Sequence, residues 1–273
     1  MPKIKINSND ELFYVDYGTG RPIILIHGWP LSHKAWESQI PSLVEAGFRV
    51  IAYDRRGFGR SSAPWEGYDY DTFAADLNEL ITQLKLTDIS LVGFSMGGGE
   101  VVRYLTRYGS SKIQSTVLIA SIIPLVKQKD DNPDGVPQSV LDDILASLEK
   151  DRPAFLTGFG KNFYNYSEKE KSVSSEQLHY DWSIAVHASP RATVGAAKAW
   201  MDTDFREEAK KIDVPTLIIH GDSDNTVPIA TSAEQAAKLI PNSTFKIYKN
   251  GSHGLNATHK DQLNTDMIAF FKS

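Results

Sequence analysis

Two patterns of hydrophobic residues alternate along this chain. Short runs in which nearly every residue is apolar are typical of strands buried on both faces of a sheet. Between them lie longer segments whose apolar residues recur every third or fourth position, as in amphipathic helices. The predicted buried strands are Ile23–Ile26, Gly47–Tyr53, Ile89–Val92, Thr116–Ala120, Thr216–His220 and Thr244–Tyr248. The predicted helices are 35–44, 70–84, one after residue 95, 229–239 and 258–271. This alternation predicts an α/β fold, a mostly parallel twisted sheet flanked by helices.

The first residues follow a different pattern. Lys3–Asn7 and Leu12–Tyr17 alternate apolar and polar residues, and an Asn-Asp pair lies between them. We predict an antiparallel hairpin at one edge of the sheet.

The alternation of strands and helices stops between residues 124 and 203. Helical patterns occur there at 139–148, 176–185 and 191–200, without a buried-strand pattern, and the stretch is rich in aromatic residues. We interpret residues 124–203 as a helical cap inserted into a sheet domain formed by residues 1–123 and 204–273. Most of the aromatic side chains are expected to form the core of the cap, and a few to line the space between cap and sheet.

Composition narrows the classes of function. The 273 residues include 29 basic and 34 acidic ones, interspersed, for a net charge of −5. No basic stripe marks a surface for nucleic acid or for an anionic membrane, so neither partner is expected. The absence of cysteine excludes disulfides, thiolate metal ligands and a cysteine nucleophile. No stretch has the apolar length of a signal peptide or a membrane span, and we therefore expect a cytoplasmic protein.

A Gly-x-Ser-x-Gly motif separates a predicted strand from a predicted helix. The strand Ile89–Val92 leads directly into Gly93-Phe-Ser-Met-Gly97, and a helical pattern follows. Glycines on both sides of Ser95 allow strand and helix to approach closely while the serine adopts a strained conformation. This is the pattern of a nucleophile elbow, in which the serine hydroxyl projects from a tight turn.

A serine nucleophile needs a base to accept its proton and an acid to orient that base. The loops after the later parallel strands should reach the same edge of the sheet as the elbow, in the order acid, then histidine. The loop Gly221–Pro228 offers Asp224, with Asp222 as an alternative that is better suited to capping the turn. The loop after the last strand offers His253, the histidine that glycine residues flank. We predict Asp224 and His253 as the partners of the serine.

Acyl transfer also needs two hydrogen-bond donors for the developing oxyanion. The N–H of Met96, at a helix N-terminus, is one candidate. The other is expected in the loop after the strand that ends at His27, where Trp29 lies. Pro30 restricts the backbone of Trp29 to extended angles. Two interpretations of Pro30 remain open: it aims the Trp29 carbonyl into the pocket, or it is an ordinary turn proline. His27 and His220 end strands, and we expect both to hydrogen-bond to backbone.

The substrate pocket is predicted to include Pro30, Phe94, Phe159 and Val227. Its occupant is expected to be a small-molecule ester or carboxylic acid.

Five motifs carry a resemblance to a known family. They are His27-Gly-Trp-Pro-Leu-Ser32, Asp54-Arg-Arg-Gly-Phe-Gly-Arg-Ser-Ser62, Gly93-Phe-Ser-Met-Gly-Gly-Gly99, the Gly221–Pro228 loop and Ser252-His253-Gly254. With them the chain resembles the α/β-hydrolase fold over almost its whole length. Within that fold it is similar to the cofactor-free bacterial haloperoxidases, or perhydrolases, and to the aryl esterases.

The resemblance implies a serine hydrolase that cleaves small aryl or alkyl carboxylic esters through an acyl-enzyme. Ser95, Asp224 and His253 would form its triad, and Trp29 and Met96 would supply the oxyanion donors. It implies that no metal or organic cofactor takes part.

The resemblance further implies that hydrogen peroxide can replace water as acceptor, giving a peracid that oxidises halide. In this family a proline at the position of Pro30 accompanies that activity. The resemblance is also compatible with assembly of the protein into a homo-oligomer. Ser252 stands where relatives often have proline, and His33-Lys34 is an unusual pair in its loop, so the resemblance leaves substrate preference open.

Three alternatives remain at this point. The same triad could hydrolyse an amide or lactam, it could cleave a carbon–carbon bond, or the fold could serve as a non-catalytic receptor for a small ligand. Haloalkane dehalogenase and epoxide hydrolase chemistry is disfavoured, because those reactions need an aspartate where this chain has Ser95.

Overall fold

A computed structural model describes residues 2–273, which contain one eight-stranded sheet. Its strands are β1 (Lys3–Lys5), β2 (Glu11–Tyr17), β3 (Pro22–Ile26), β4 (Arg49–Tyr53), β5 (Ile89–Phe94), β6 (Ile113–Ile119), β7 (Thr216–Gly221) and β8 (Ser243–Tyr248). They lie in the order β1-β2-β4-β3-β5-β6-β7-β8. The first two pairs are antiparallel and the other five are parallel. The predicted α/β fold with a mostly parallel sheet is confirmed.

The centre of the sheet is apolar on both faces, as the uninterrupted apolar runs predict. Ile23–Ile26 has no solvent exposure, and all six residues of β5 are buried. Because β5 pairs with β3 on one side and β6 on the other, the turn that follows Phe94 lies in the middle of the carboxyl edge of the sheet. The loops after β3, β6 and β7 leave from the same edge.

Ten α-helices accompany the strands of residues 2–273. They are α1 (Gln39–Glu45), α2 (Tyr70–Gln83), α3 (Met96–Tyr108), α4 (Gln138–Phe163), α5 (Ser175–Val186), α6 (Pro190–Asp202), α7 (Arg206–Ala209), α8 (Ala233–Leu239), α9 (Leu255–Thr258) and α10 (Lys260–Lys272). Helix α2 packs against α3, and α1 against α10.

Three predicted helices are divided in the structure. The prediction of one helix over 35–44 is wrong: a 3₁₀ turn at His33–Trp36 precedes α1. Pro41 has no N–H to donate to the carbonyl of residue 37, but it fits the first turn of a helix that begins at residue 39. The helices predicted over 229–239 and 258–271 are interrupted at Ser232 and His259, whose backbone angles are not helical.

Helices α4 to α7 all lie between β6 and β7 in the chain. The prediction placed a helix at 139–148, but α4 continues to Phe163 after a kink at Asp151 (φ −157°, ψ 82°). Asp151 accepts a hydrogen bond from the Ala154 N–H at 3.0 Å, as an N-cap residue does, and Pro153 then lies in the first turn of the second segment. This second segment brings aromatic side chains to the site described next.

None of the helices in residues 2–273 combines the length and the apolar character that crossing a bilayer requires.

Candidate active site

Ser95 occupies the turn between β5 and α3. Its backbone angles (φ 53°, ψ −120°) lie in a region where the backbone of any residue other than glycine is strained. The flanking glycines are required by close packing: a Cβ on Gly93 would lie 2.6 Å from the Gly97 carbonyl oxygen, and one on Gly97 would lie 2.5 Å from the Ile26 carbonyl oxygen. The turn therefore has the geometry that the Gly-x-Ser-x-Gly motif predicts.

Three of the predicted residues form one chain of hydrogen bonds. The Ser95 Oγ lies 2.9 Å from the His253 Nε2, and the His253 Nδ1 lies 2.7 Å from the Asp224 Oδ2. The hydroxyl can donate to Nε2 while the Nδ1–H donates to the carboxylate. All three side chains are buried, Ser95 with 7% exposure.

The Asp224 carboxylate is held in its charged form. Its Oδ1 accepts the N–H groups of Thr226 at 2.9 Å and Val227 at 2.8 Å, and its Oδ2 also lies 3.1 Å from the His220 Nε2. Burial raises the pKa of this carboxyl, but His253 and His220 outweigh it and hold the pKa well below its usual range. At neutral pH the ring of His253 therefore faces a carboxylate.

Asp222, the alternative acid, does not contact His253. Its Oδ1 accepts the Asn250 N–H at 2.7 Å and the Ser223 hydroxyl at 3.0 Å, so this exposed side chain ties together two surface turns. The structure brings Asp224, and not Asp222, to His253.

The two predicted oxyanion donors, Trp29 and Met96, flank Ser95 in the wall of one cavity. The indole Nε1–H of Trp29 donates to the Thr193 carbonyl at 2.9 Å, which links this loop to α6. The peptide bond from Trp29 to Pro30 is cis. The loop approaches the elbow closely, since a Cβ on Gly28 would lie 3.1 Å from that of Ser95.

The cavity beside Ser95 has a volume of about 410 Å³ and a mostly apolar wall. Phe159 and Val227, two of the four predicted pocket residues, line it. Pro30 and Phe94 do not. Pro30 borders a smaller void beneath α5, and Phe94 is buried with its ring centroid 5.3 Å from that of His253.

Several residues of the cavity wall were not predicted. Val140, Leu141 and Ile144 of α4 line it, together with Leu125 and Trp200. The signal was present as an apolar face of the helix predicted at 139–148. That face alone did not reveal which part of the molecule it covers.

The end of α4 contacts both loops that carry the candidate acid and base. The Gly254 N–H donates to the Phe163 carbonyl at 3.1 Å, and the ring of Phe163 packs edge-on against His253 at 4.9 Å between centroids. The Asn165 side-chain amide donates to the Ser223 carbonyl at 2.6 Å. Helix α4 thus lines the cavity, and its end together with Asn165, two residues beyond it, braces the loops beside it.

Among residues 2–273, no group of three or more histidine or carboxylate side chains is placed to hold a metal ion.

A mostly parallel sheet of this strand order, with a nucleophile elbow after its central strand, defines the α/β-hydrolase class of proteins. The family model described as alpha/beta hydrolase fold matches residues 21–260. The chain belongs to this family and, within it, to the group of non-heme haloperoxidases, as its relatives indicate.

Three relatives illustrate that membership. A solved structure of a bromoperoxidase from Bacillus anthracis is 47% identical, superposes with a TM-score of 0.97, and covers 100% of this chain and 99% of that chain. A non-heme chloroperoxidase of Kitasatospora aureofaciens is 41% identical over 99% of both chains. A bifunctional esterase/perhydrolase of Acinetobacter calcoaceticus is 36% identical over 96% of both chains. The predicted resemblance is confirmed.

Proposed function

We propose that this protein is a serine hydrolase of small carboxylic esters that also forms peracids when hydrogen peroxide is the acceptor. One observation carries the proposal: the hydrogen bonds from the Ser95 hydroxyl through His253 to Asp224 run beside an apolar cavity. The names of the relatives support the same two activities.

In the first half of the reaction, the Ser95 Oγ attacks the ester carbonyl while the His253 Nε2 takes its proton. Asp224 stabilises the imidazolium that forms. The N–H groups of Trp29 and Met96 stabilise the negative charge on the carbonyl oxygen. His253 then gives its proton to the leaving alcohol, and the acyl group stays on Ser95.

In the second half, the acceptor attacks the acyl-enzyme with His253 again serving as base. Water releases the carboxylic acid. Hydrogen peroxide releases a peracid instead, and the peracid transfers one oxygen to a halide ion, giving a hypohalous acid and the carboxylate. This sequence gives one site both activities and needs peroxide as its only oxidant.

The cavity supports an ester with an apolar acyl or aryl group. Side chains such as Leu141, Ile144, Phe159 and Trp200 dominate its wall, and ligand pockets of this size bury most of an apolar small molecule. Since part of this wall comes from residues 124–203, we propose that they act as a cap over the site.

Amide, lactam or carbon–carbon bond hydrolysis and a receptor role are not favoured. The relatives described above are named as haloperoxidases and as an esterase/perhydrolase.

Ser95→Ala tests the proposal. It should lower kcat for p-nitrophenyl acetate by about 10⁴-fold or more, because no other group can form the acyl-enzyme. Peroxide-dependent bromination of a dye should disappear in parallel. Ser110→Ala, at a half-buried serine that donates a hydrogen bond to Asp213, is the matched control and should keep both activities. Bromination that survives in Ser95→Ala would rule out a single site for the two reactions.

A further inference from the structure

The peptide group between Gly28 and Trp29 is held from its carbonyl side. The Gly28 oxygen accepts two hydrogen bonds, from the His27 Nδ1 at 2.9 Å and from the Leu31 N–H at 3.0 Å. This peptide is trans, so its N–H points opposite to its C=O. Two donors on the Gly28 oxygen therefore set the direction of the Trp29 N–H.

The tautomer of His27 follows from its second nitrogen. The Arg55 backbone N–H donates to the His27 Nε2 at 3.0 Å, so Nε2 is an acceptor and the proton sits on Nδ1, facing Gly28. The ring is completely buried. Burial, followed by the Arg55 charge, lowers the pKa of His27 to about 3, and the ring is neutral at physiological pH.

A buried ion pair connects His27 to the elbow helix. The Arg55 guanidinium donates to the His27 carbonyl at 3.0 Å and, through Nε, to the Glu100 carboxylate at 2.8 Å. Tyr53 donates to the other oxygen of Glu100. Neither Arg55 nor Glu100 has any side-chain exposure, and Glu100 lies just over one turn beyond Met96 in α3. The segments that carry the two oxyanion donors are thus joined through one buried network.

We infer that His27 is a positioning residue for the oxyanion site: its Nδ1–H holds the Gly28 carbonyl so that the Trp29 N–H points at the substrate oxygen. The inference rests on the proposed function, in which Trp29 is an oxyanion donor. A donor aimed at the oxyanion acts mainly in the transition state, so misaiming it lowers kcat and leaves KM nearly unchanged.

Two substitutions separate the contacts of His27. In His27→Asn, the amide nitrogen occupies the place of Nδ1 and can still donate to the Gly28 oxygen. In His27→Gln, the longer side chain reaches the place of Nε2 and can accept the Arg55 N–H, but the donor to Gly28 is lost. We expect His27→Gln to lower kcat for p-nitrophenyl acetate by about 10- to 100-fold, and His27→Asn to stay within about 3-fold of wild type.

Binding of phenylboronic acid gives a second readout. Boron forms a tetrahedral adduct with the serine and mimics the transition state. Its affinity should fall in His27→Gln by about the same factor as kcat, while KM changes less than about 3-fold. Asp76→Asn is the matched control, because Asp76 also forms a buried ion pair, with Arg56, and does not touch the Gly28 peptide. It should leave kcat unchanged.

The outcomes are distinguishable. Equal losses of kcat in His27→Asn and His27→Gln, or no loss in His27→Gln, would overturn the inference. Wild-type protein without esterase activity would overturn the proposed function and this inference with it. Should His27→Gln not fold, ¹⁵N NMR of the native protein decides the matter: a proton on Nδ1 of His27 supports the inference, and a proton on Nε2 overturns it.

Discussion

At the scale of single residues, the Asp224 carboxylate lies within hydrogen-bond distance of two histidines. Asp224 contacts His253 through Oδ2, which also lies 3.1 Å from the His220 Nε2. The His220 Nε2 also lies 2.8 Å from the Val227 carbonyl, so its proton is shared between two acceptors. A second histidine thereby helps to hold the Asp224 carboxylate, whose charge is available to a protonated His253.

This arrangement predicts the effect of Asp224→Asn. The amide cannot stabilise an imidazolium, and it favours the wrong tautomer of His253, so kcat for p-nitrophenyl acetate should fall by about 10⁴-fold with a small change in KM. Asp222→Asn is the control. Its oxygen can still accept the Asn250 N–H, and its activity should equal that of wild type. A large loss in Asp222→Asn with little loss in Asp224→Asn would make Asp222 the acid.

At the scale of elements, α4 does more than cover the cavity. Its last turn and the residue Asn165 just after it hold the acid loop: the Asn165 amide donates to the Ser223 carbonyl, and its oxygen accepts the Asn225 amide at 2.9 Å. Asn165 itself has φ +51°, in the left-handed region. The loop that carries Asp224 is therefore braced by an element outside the sheet.

Asn165→Gly removes these hydrogen bonds without adding backbone strain, because glycine adopts a positive φ freely. Losing two hydrogen bonds should lower the free energy of unfolding by about 1–2 kcal/mol in urea titrations. It should also lower kcat severalfold, because Asp224 becomes less well positioned. Asn250→Gly, at another left-handed asparagine (φ +57°), is the control and should be as stable as wild type. Unchanged stability and kcat in Asn165→Gly would contradict the bracing role of α4.

At the scale of the whole molecule, stability depends on keeping ionisable groups buried in one protonation state. His27 is the clearest case, because its pKa of about 3 lies below the value of 6.5 for a free imidazole. The unfolded chain takes up this proton at a higher pH than the folded protein does. Between pH 6.5 and 3, the unfolded state therefore binds more protons, and acidification favours unfolding.

We expect His27 to lower the free energy of unfolding by up to about 5 kcal/mol as the pH drops from about 6.5 towards 3. The contribution of Asp224 has the same sign but is lost only below its ordinary pKa of 3.8, a lower window. Urea unfolding at several pH values measures the slope. The slope above pH 4 should be smaller in His27→Asn than in wild type, and identical slopes would show that His27 is accessible to protons in the folded state.

The sequence predicted much of the fold because local patterns carry that information. Uninterrupted apolar runs mark the central strands, and the glycines around Ser95 mark a turn that only they permit. Prediction failed where local signals compete. The helix predicted at 139–148 stopped short of the site, yet Asp151 caps a second segment that places Phe159 and Phe163 there.

Taken alone, the sequence determined the order of strands and helices, the elbow serine, and a short set of candidate acids and bases, since each depends on neighbours within a few positions. Only the tertiary structure decided which carboxylate lies against His253, which side chains of α4 line the cavity, and where the proton of His27 points. Those facts are distances between segments that lie far apart in the chain, such as the 2.9 Å between Ser95 and His253 across 158 positions. They arise when the sheet is assembled and the loops at its carboxyl edge meet.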